Sequence, residues 1–243
     1  MKLIIDAGNT TIKVAVFEGD SLLIKQAIWA FDFKNGLKKI IDQYPKVNNV
    51  IISSVSNIEI SELDGVLKNV MVTTLSHETK VPFKNLYRTP ASLGVDRIAL
   101  VTSAVCQFPK KNCLVIDVGS CITYDFVNSK KEYYGGAIGP GLQMRYKSLN
   151  QFTANLPLLR PKYVDSFEGD STENAIHAGV SLAIETEILG VIDHFSNKYP
   201  KLVVILTGGD ADFLSKRLKN GIFVLPNFLI KGLSHILDYN TNK

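Results

Sequence analysis

Asp6-Ala7-Gly8-Asn9-Thr10-Thr11-Ile12-Lys13 joins a carboxylate, a small-residue turn, two hydroxyls and a lysine in eight positions. A tight hairpin with small residues at its tip lets backbone N–H groups approach an anion closely. Thr10 and Thr11 add hydroxyl donors. A carboxylate at Asp6 suits Mg²⁺, which bridges phosphate oxygens and offsets their charge. Taken alone, the segment is equally an ordinary hairpin with Asp6 and Asn9 chosen for turn chemistry. The pattern returns 111 residues later as Asp117-Val118-Gly119-Ser120. Two phosphate-facing hairpins make a nucleotide clamp, which a single hairpin does not.

In the second copy, Asp117 ends an apolar run, where a buried carboxylate must be paired or bind a cation. Ser120 offers a hydroxyl and a backbone N–H for phosphate. Thr123 and Asp125 lie two apart on the next strand and so share a face. The plain alternative is a strand pair with its polar residues towards solvent. Gly94-Val95-Asp96-Arg97 sits at a helix start. Asp96 is placed to accept the proton of an attacking hydroxyl, and Arg97 to grip a carboxylate or a transferring phosphoryl group. Neighbours on a helix point apart, so the two are not expected to pair with each other. A capping aspartate beside a solvated arginine fits the same residues. Thr207-Gly208-Gly209-Asp210-Ala211 lies between a strand and a helix, where Gly208 and Gly209 permit close passage of a flat ring or phosphate, or simply turn the chain. Gly135-Gly136-Ala137-Ile138-Gly139-Pro140-Gly141 reads as a loop of unusual shape, packed on a substrate or turning a corner. The sequence has no GxxxxGK[ST] loop, no GxGxxG after its first strand and no GxSxG elbow. His77, His177, His194 and His235 show no metal-ligand spacing and read as surface or helix-face residues.

The elements that must hold these residues follow from apolar periodicity. Strands are expected at residues 3–5, 11–17, 21–27, 50–53 and 70–74, with a helix at 35–44. A helix introduced by Thr89-Pro90 runs to about Cys106. Strands recur at 114–117, 122–127 and 132–137. One long helix follows at 175–195, with Ile176, Val180, Ile184 and Ile188 on one stripe. A buried strand at 202–206 and a helix at 213–219 complete the pattern. The shared signature reads as an internal duplication of mixed sheets, with the two halves at 1–110 and 111–243 flanking a nucleotide cleft and residues 89–111 joining them.

Bulk properties narrow the class. With 46% hydrophobic and 21% charged residues in a chain of 243, disorder is excluded. The net charge of +4 is spread along the chain without a basic tract, so no nucleic-acid arm is expected. Three cysteines without a CxxC pair disfavour disulfides and zinc fingers and fit a reducing compartment. Asp6 interrupts the N-terminus too early for a signal core, and no apolar run reaches the ~20 residues that span a bilayer. A cytoplasmic protein with no membrane partner is expected.

In their order, DAGNT, GVDR, DVGSCITYD, GGAIGPG, FTANLP (Phe152 to Pro157), GDSTENAIHAG and TGGDA resemble the type III pantothenate kinases, a branch of the acetate and sugar kinase, heat-shock chaperone and actin superfamily. The likeness covers nearly the whole chain. It implies two RNase H-like (actin-like ATPase) subdomains in an α/β homodimer with shared active sites. The implied reaction uses ATP and Mg²⁺ to phosphorylate pantothenate to 4′-phosphopantothenate, the first step of coenzyme A synthesis. Residues Asp6 to Lys13 become the first phosphate-binding segment, with Asp6 near the metal, and Asp96 becomes the general base. Gly94, Val95, Asp96 and Arg97, with Tyr87, contact pantothenate. Asp117 ligates a monovalent cation, K⁺ or NH₄⁺. Ser120 contacts ATP. Thr172 reaches pantothenate from the neighbouring subunit. Asp170 and Ser171 look like capping residues for the helix that carries it. Ser120 and Cys121 depart from the threonine and alanine usual in the family. The serine keeps the hydroxyl, and Cys121 brings an oxidation-prone thiol and altered local packing. The rival readings are a kinase for another small hydroxy compound and a transcription-accessory regulator on the same fold.

Overall fold

Leu3, Ile4 and Ile5 are fully buried, as are Val50, Ile51 and Ile52. Such unbroken apolar runs belong to strands covered on both faces. A computed structural model describes residues 1–8, 11–54, 63, 65–67, 70–218 and 221–241. In chain order the elements are β1 (Lys2–Ala7), β2 (Thr11–Glu18), β3 (Ser21–Trp29), α1 (Phe33–Gln43), β4 (Asn49–Ser54), β5 (Met71–Thr74), β6 (Lys84–Asn85) and α2 (Val95–Gln107). There follow β7 (Cys113–Val118), β8 (Cys121–Val127), β9 (Glu132–Pro140), α3 (Leu142–Gln151), α4 (Thr172–His177), α5 (Ala183–Lys198), β10 (Val203–Thr207), α6 (Ala211–Ser215), β11 (Ile222–Val224) and α7 (Phe228–Thr241). The chain forms two compact units, Met1–Gln107 with Phe228–Lys243, and Phe108–Asn227.

The first unit has the strand order β3-β2-β1-β4-β5. Its β1 runs antiparallel to β2 and parallel to β4, with Asp6 opposite Lys13 on one side and Ser53 on the other. The two-residue turn into β3 uses Gly19 at φ +57°, a conformation glycine adopts freely. Leu37 and Ile40 of α1 pack with the apolar face of this sheet in one core. The second unit orders its strands β11-β10-β7-β8-β9. There β7 is antiparallel to β8 and parallel to β10, with Asp117 opposite Thr123 and Thr207. The sequence repeat is therefore a repeat of topology: each aspartate ends a central strand between an antiparallel and a parallel neighbour. The mixed α/β class is borne out.

Four expectations change. Residues 135–140 are strand, not loop. A Cβ on Gly136 would stand 1.6 Å from the Tyr124 carbonyl oxygen, so the glycine allows β8 and β9 to approach closely. Gly135, at φ +111°, sits at a register shift between the same strands. The expected helix 175–195 starts earlier and ends later: α4 and α5 join through a π-helical turn at Ala178–Leu182. The 27-residue stretch Thr172–Lys198 is long and apolar enough to cross a membrane by length and composition. Its stripe of Ile176, Val180, Ile184 and Ile188 lies instead in the second unit's core. The helix expected at 213–219 is the shorter α6, with Lys219 outside the described residues. Finally, α7 belongs to the first unit, although residues 111–243 were expected to lie together. A Cβ on Gly232 would stand 1.9 Å from the Ala99 carbonyl oxygen, so α7 lies directly on the α2 backbone. Asp238 also holds Lys2 of β1 at 2.6 Å.

Candidate active site

In the first unit, β1 delivers Asp6 to the end of the sheet with its carboxylate largely buried. Lys13, its register partner on β2, stands 3.7 Å from Oδ2. Burial pushes the Asp6 carboxyl above its ordinary range; Lys13 and Lys25 pull it down, and the charge of Asp96 pushes it further up. Two carboxylates thus share one field, which a divalent cation relieves. Ala7 and Ile12 are buried and set the hairpin on its core. Asn9 and Thr10 lie outside the described residues, as does the side chain of Thr11. Gly8 is half-buried and Lys13 exposed.

Asp96 occupies the first turn of α2. Its Oδ1 accepts the Arg97 backbone N–H at 2.8 Å. A Cβ on Gly94 would lie 2.4 Å from that same Oδ1. Glycine is thus what lets the carboxylate fold back over the helix start. Val95 is half-buried beside it. Arg97 is buried, not solvated, and its guanidinium carbon lies 5.7 Å from the centre of the Tyr87 ring. That placement stacks a cation on an aromatic face. Asn85 fixes the approach by accepting the Tyr87 backbone N–H at 3.0 Å.

In the second unit, the β7–β8 hairpin presents Ser120, exposed at its tip. Gly208, at φ +103°, presses on Asp117: a Cβ there would stand 2.5 Å from Asp117 Oδ1 and 2.3 Å from the Val118 carbonyl oxygen. Asp210 donates its backbone N–H to the same carbonyl at 3.0 Å. Gly209 next to it has open space where a side chain would be. Thr123, opposite Asp117 across the ladder, is buried, and its hydroxyl has no hydrogen-bond partner among the described residues. A carboxylate opposite a buried hydroxyl supplies oxygen atoms of the kind that suit a cation. Thr123 and Asp125 do not face solvent: Asp125 is fully buried and accepts the Tyr133 hydroxyl at 2.7 Å. Cys121 is exposed at the start of β8 and so leaves the core unchanged.

Thr172 begins α4 behind Ser171, whose side chain accepts the Asn174 N–H at 3.3 Å and caps the helix. It lines an apolar cavity of about 420 Å³ with Leu149, Leu156, Ala175, Ile176 and Gly179, none of them from the Asp117 group. His177 is buried rather than on the surface. Its Nδ1 lies 2.8 Å from the Tyr146 hydroxyl, which also bonds Ser181 at 2.9 Å. A second network escapes periodicity too. Arg145 donates to the Pro140 carbonyl at 2.8 Å and to Glu187 at 2.6 Å, and Glu187 accepts the Tyr124 hydroxyl at 2.6 Å. Glu187 lies 42 residues from Arg145 and 63 from Tyr124, so no local spacing announces these pairs.

A sequence model of the type III pantothenate kinases matches residues 2–194. The chain belongs to that family. It is 47% identical over 241 residues to the type III pantothenate kinase of Christiangramia forsetii, covering 99% of each chain. It is 45% identical over 239 residues to that of Flavobacterium johnsoniae, covering 98% of each. Its fold is similar to that of a glucokinase from an Antarctic psychrotroph, with a TM-score of 0.53 over 99% of both chains; at 12% identity the likeness concerns the fold alone. The RNase H-like, actin-type architecture is thereby borne out for this type III pantothenate kinase family member.

Proposed function

We propose that this protein transfers the γ-phosphoryl group of ATP to the 4′-hydroxyl of pantothenate, giving ADP and 4′-phosphopantothenate at the start of coenzyme A synthesis. The observation that carries the reading is the GVDR turn in a chain that matches its family relatives over 98–99% of its residues. Gly94 leaves room for the Asp96 carboxylate, and Arg97 beside it is stacked on Tyr87. Asp96 accepts the hydroxyl proton as the oxygen attacks phosphorus. Arg97 takes the pantothenate carboxylate, with Tyr87, Gly94 and Val95 shaping the pocket. The hairpin from Asp6 to Lys13 binds phosphate, and Asp6 holds Mg²⁺ through it; Mg²⁺ supplies charge neutralisation on the phosphate oxygens. Ser120 and the Gly208-Gly209 turn contact ATP. Asp117 holds K⁺ or NH₄⁺, a role supported by the unpaired hydroxyl of Thr123 across the ladder. The enzyme works in the cytoplasm as a homodimer in which Thr172 of one subunit serves the other's pantothenate site.

The test is ADP release by purified protein with ATP, Mg²⁺ and pantothenate, in K⁺ and again in Na⁺. Pantothenate-dependent turnover is expected, faster in K⁺, and Asp96→Asn lowers kcat by about 10²–10⁴-fold. Folded protein without turnover in either salt overturns the reading in favour of another acceptor or a regulatory role. Equal rates in both salts remove the cation from Asp117 alone.

A further inference from the structure

Away from Asp96, at the other end of α2, three groups that the sequence scatters come together. Asp20 stands at the turn between β2 and β3, while His235 and Asp238 lie three residues apart on one face of α7. One ligand atom from each, a ring nitrogen and two carboxylate oxygens, all lie within 4.8 Å of one another. Yet neither the Asp20 nor the His235 side chain has a hydrogen-bond or ion-pair partner among the described residues. The atoms are too far apart to bond directly. They are close enough for small side-chain rotations to bring them onto one ion with bonds of about 2.0–2.2 Å.

We infer that Asp20, His235 and Asp238 form a binding site for a divalent first-row transition metal of the Zn²⁺ class, separate from the kinase centre. Asp238 is already oriented: Lys2 Nζ holds its Oδ2 at 2.6 Å, leaving Oδ1 for a second partner. Asp20 and His235 also line a cavity of about 190 Å³ with Phe17, Gln107, Lys231 and Ser234, which leaves room for water to complete the coordination. Burial lowers the His235 pKa, Asp20 and Asp238 raise it, and Lys2 and Lys231 lower it again. The local charge selects the metal. Lys2 and Lys231 offset the two carboxylates, so an ion that relies on oxygen and charge, such as Mg²⁺, gains little. One that bonds imidazole nitrogen gains a strong ligand. Occupancy would fasten the β2–β3 turn to the last helix.

Calorimetric titration of tag-free protein with ZnCl₂, alongside thermal melts, tests this. One Zn²⁺ per chain and a raised Tm are expected. Asp20→Asn, at an exposed turn, and His235→Gln should each weaken Zn²⁺ binding at least tenfold, with circular dichroism confirming that both variants fold. The site is overturned if wild-type protein takes up no Zn²⁺, or if both variants bind as tightly as wild type. It is also overturned if binding vanishes in a Cys106→Ser, Cys121→Ser double variant or in Asp6→Asn. An equal rise in Tm from the same concentration of Mg²⁺ overturns the choice of metal.

Discussion

A single methyl group at Gly94 separates two accounts of Asp96. If the carboxylate merely caps α2, Gly94→Ala lowers stability and leaves catalysis intact. If Asp96 is the base, the new Cβ displaces Oδ1 from its place over the Arg97 N–H, and kcat falls while the KM for ATP stays put. We expect the second result in steady-state ADP assays. Asp6 yields a prediction of opposite sign for stability and function. Its folded pKa is raised, so the stability it contributes is full below the unfolded value near 3.8 and is lost as pH rises through the folded value. Asp6→Asn should therefore melt higher than wild type at pH 7.5, match it in acid below about pH 4, and lose turnover. Equal melting at both pH values would show that the carboxylate is not strained. The three aspartates were readable in the sequence because each lies in a local motif. Thr123 was visible as a face-sharing residue, but its missing partner depends on every neighbour around it. The Tyr146–His177 pair spans 31 residues and left no local trace.

At the scale of the element, the β9–α3 corner controls the second hairpin. Gly141 donates to the Ser120 carbonyl at 3.1 Å, and a Cβ there would stand 2.1 Å from the Gly119 carbonyl oxygen. Gly141→Ala must push the hairpin outward; the expected outcome is a raised KM for ATP with the KM for pantothenate unchanged. Gly232→Ala separates α7 from α2 and should cost about 1–3 kcal/mol. A lower urea midpoint with an unchanged m value would register it. Most strands were readable because their apolar runs end in turn residues. The glycine-rich stretch misled, since glycine weakens strands in general. Here it is required by the close passage of β8. Two helices escaped notice for different reasons. In α7, Phe228, Ile230, Leu233, Ile236 and Leu237 are buried opposite a polar stripe of Lys231, His235 and Asp238, a helical period the sequence carries and the reading passed over. In α3 only Leu142 and Tyr146 are buried, too few to establish one.

For the whole molecule, the proposed shared-site dimer makes a quantitative claim. Asp96→Asn and a bulky Thr172→Arg should each inactivate the enzyme when expressed alone. Co-expressed, they form mixed dimers with one intact site, and random pairing restores about a quarter of wild-type activity. No recovery from mixed dimers isolated by two tags would show that Thr172 serves its own chain. The duplication was readable from two aspartates and two turns, because each half repeats the same central strand. The extent of each half was not, because the return of the last helix rests on shape at Gly232 rather than on any motif.

That return fixes an order of events at the ribosome. The second unit is one uninterrupted stretch, its sequence complete once Asn227 has been added. The first unit is begun earliest and finished last: Lys2 waits for Asp238, and the α2 backbone waits for Gly232. Folding should therefore run against the usual N-to-C sequence. Released chains truncated after Asn227 should carry a protease-resistant second unit and a first unit still open to cleavage, which closes only when the last helix is present.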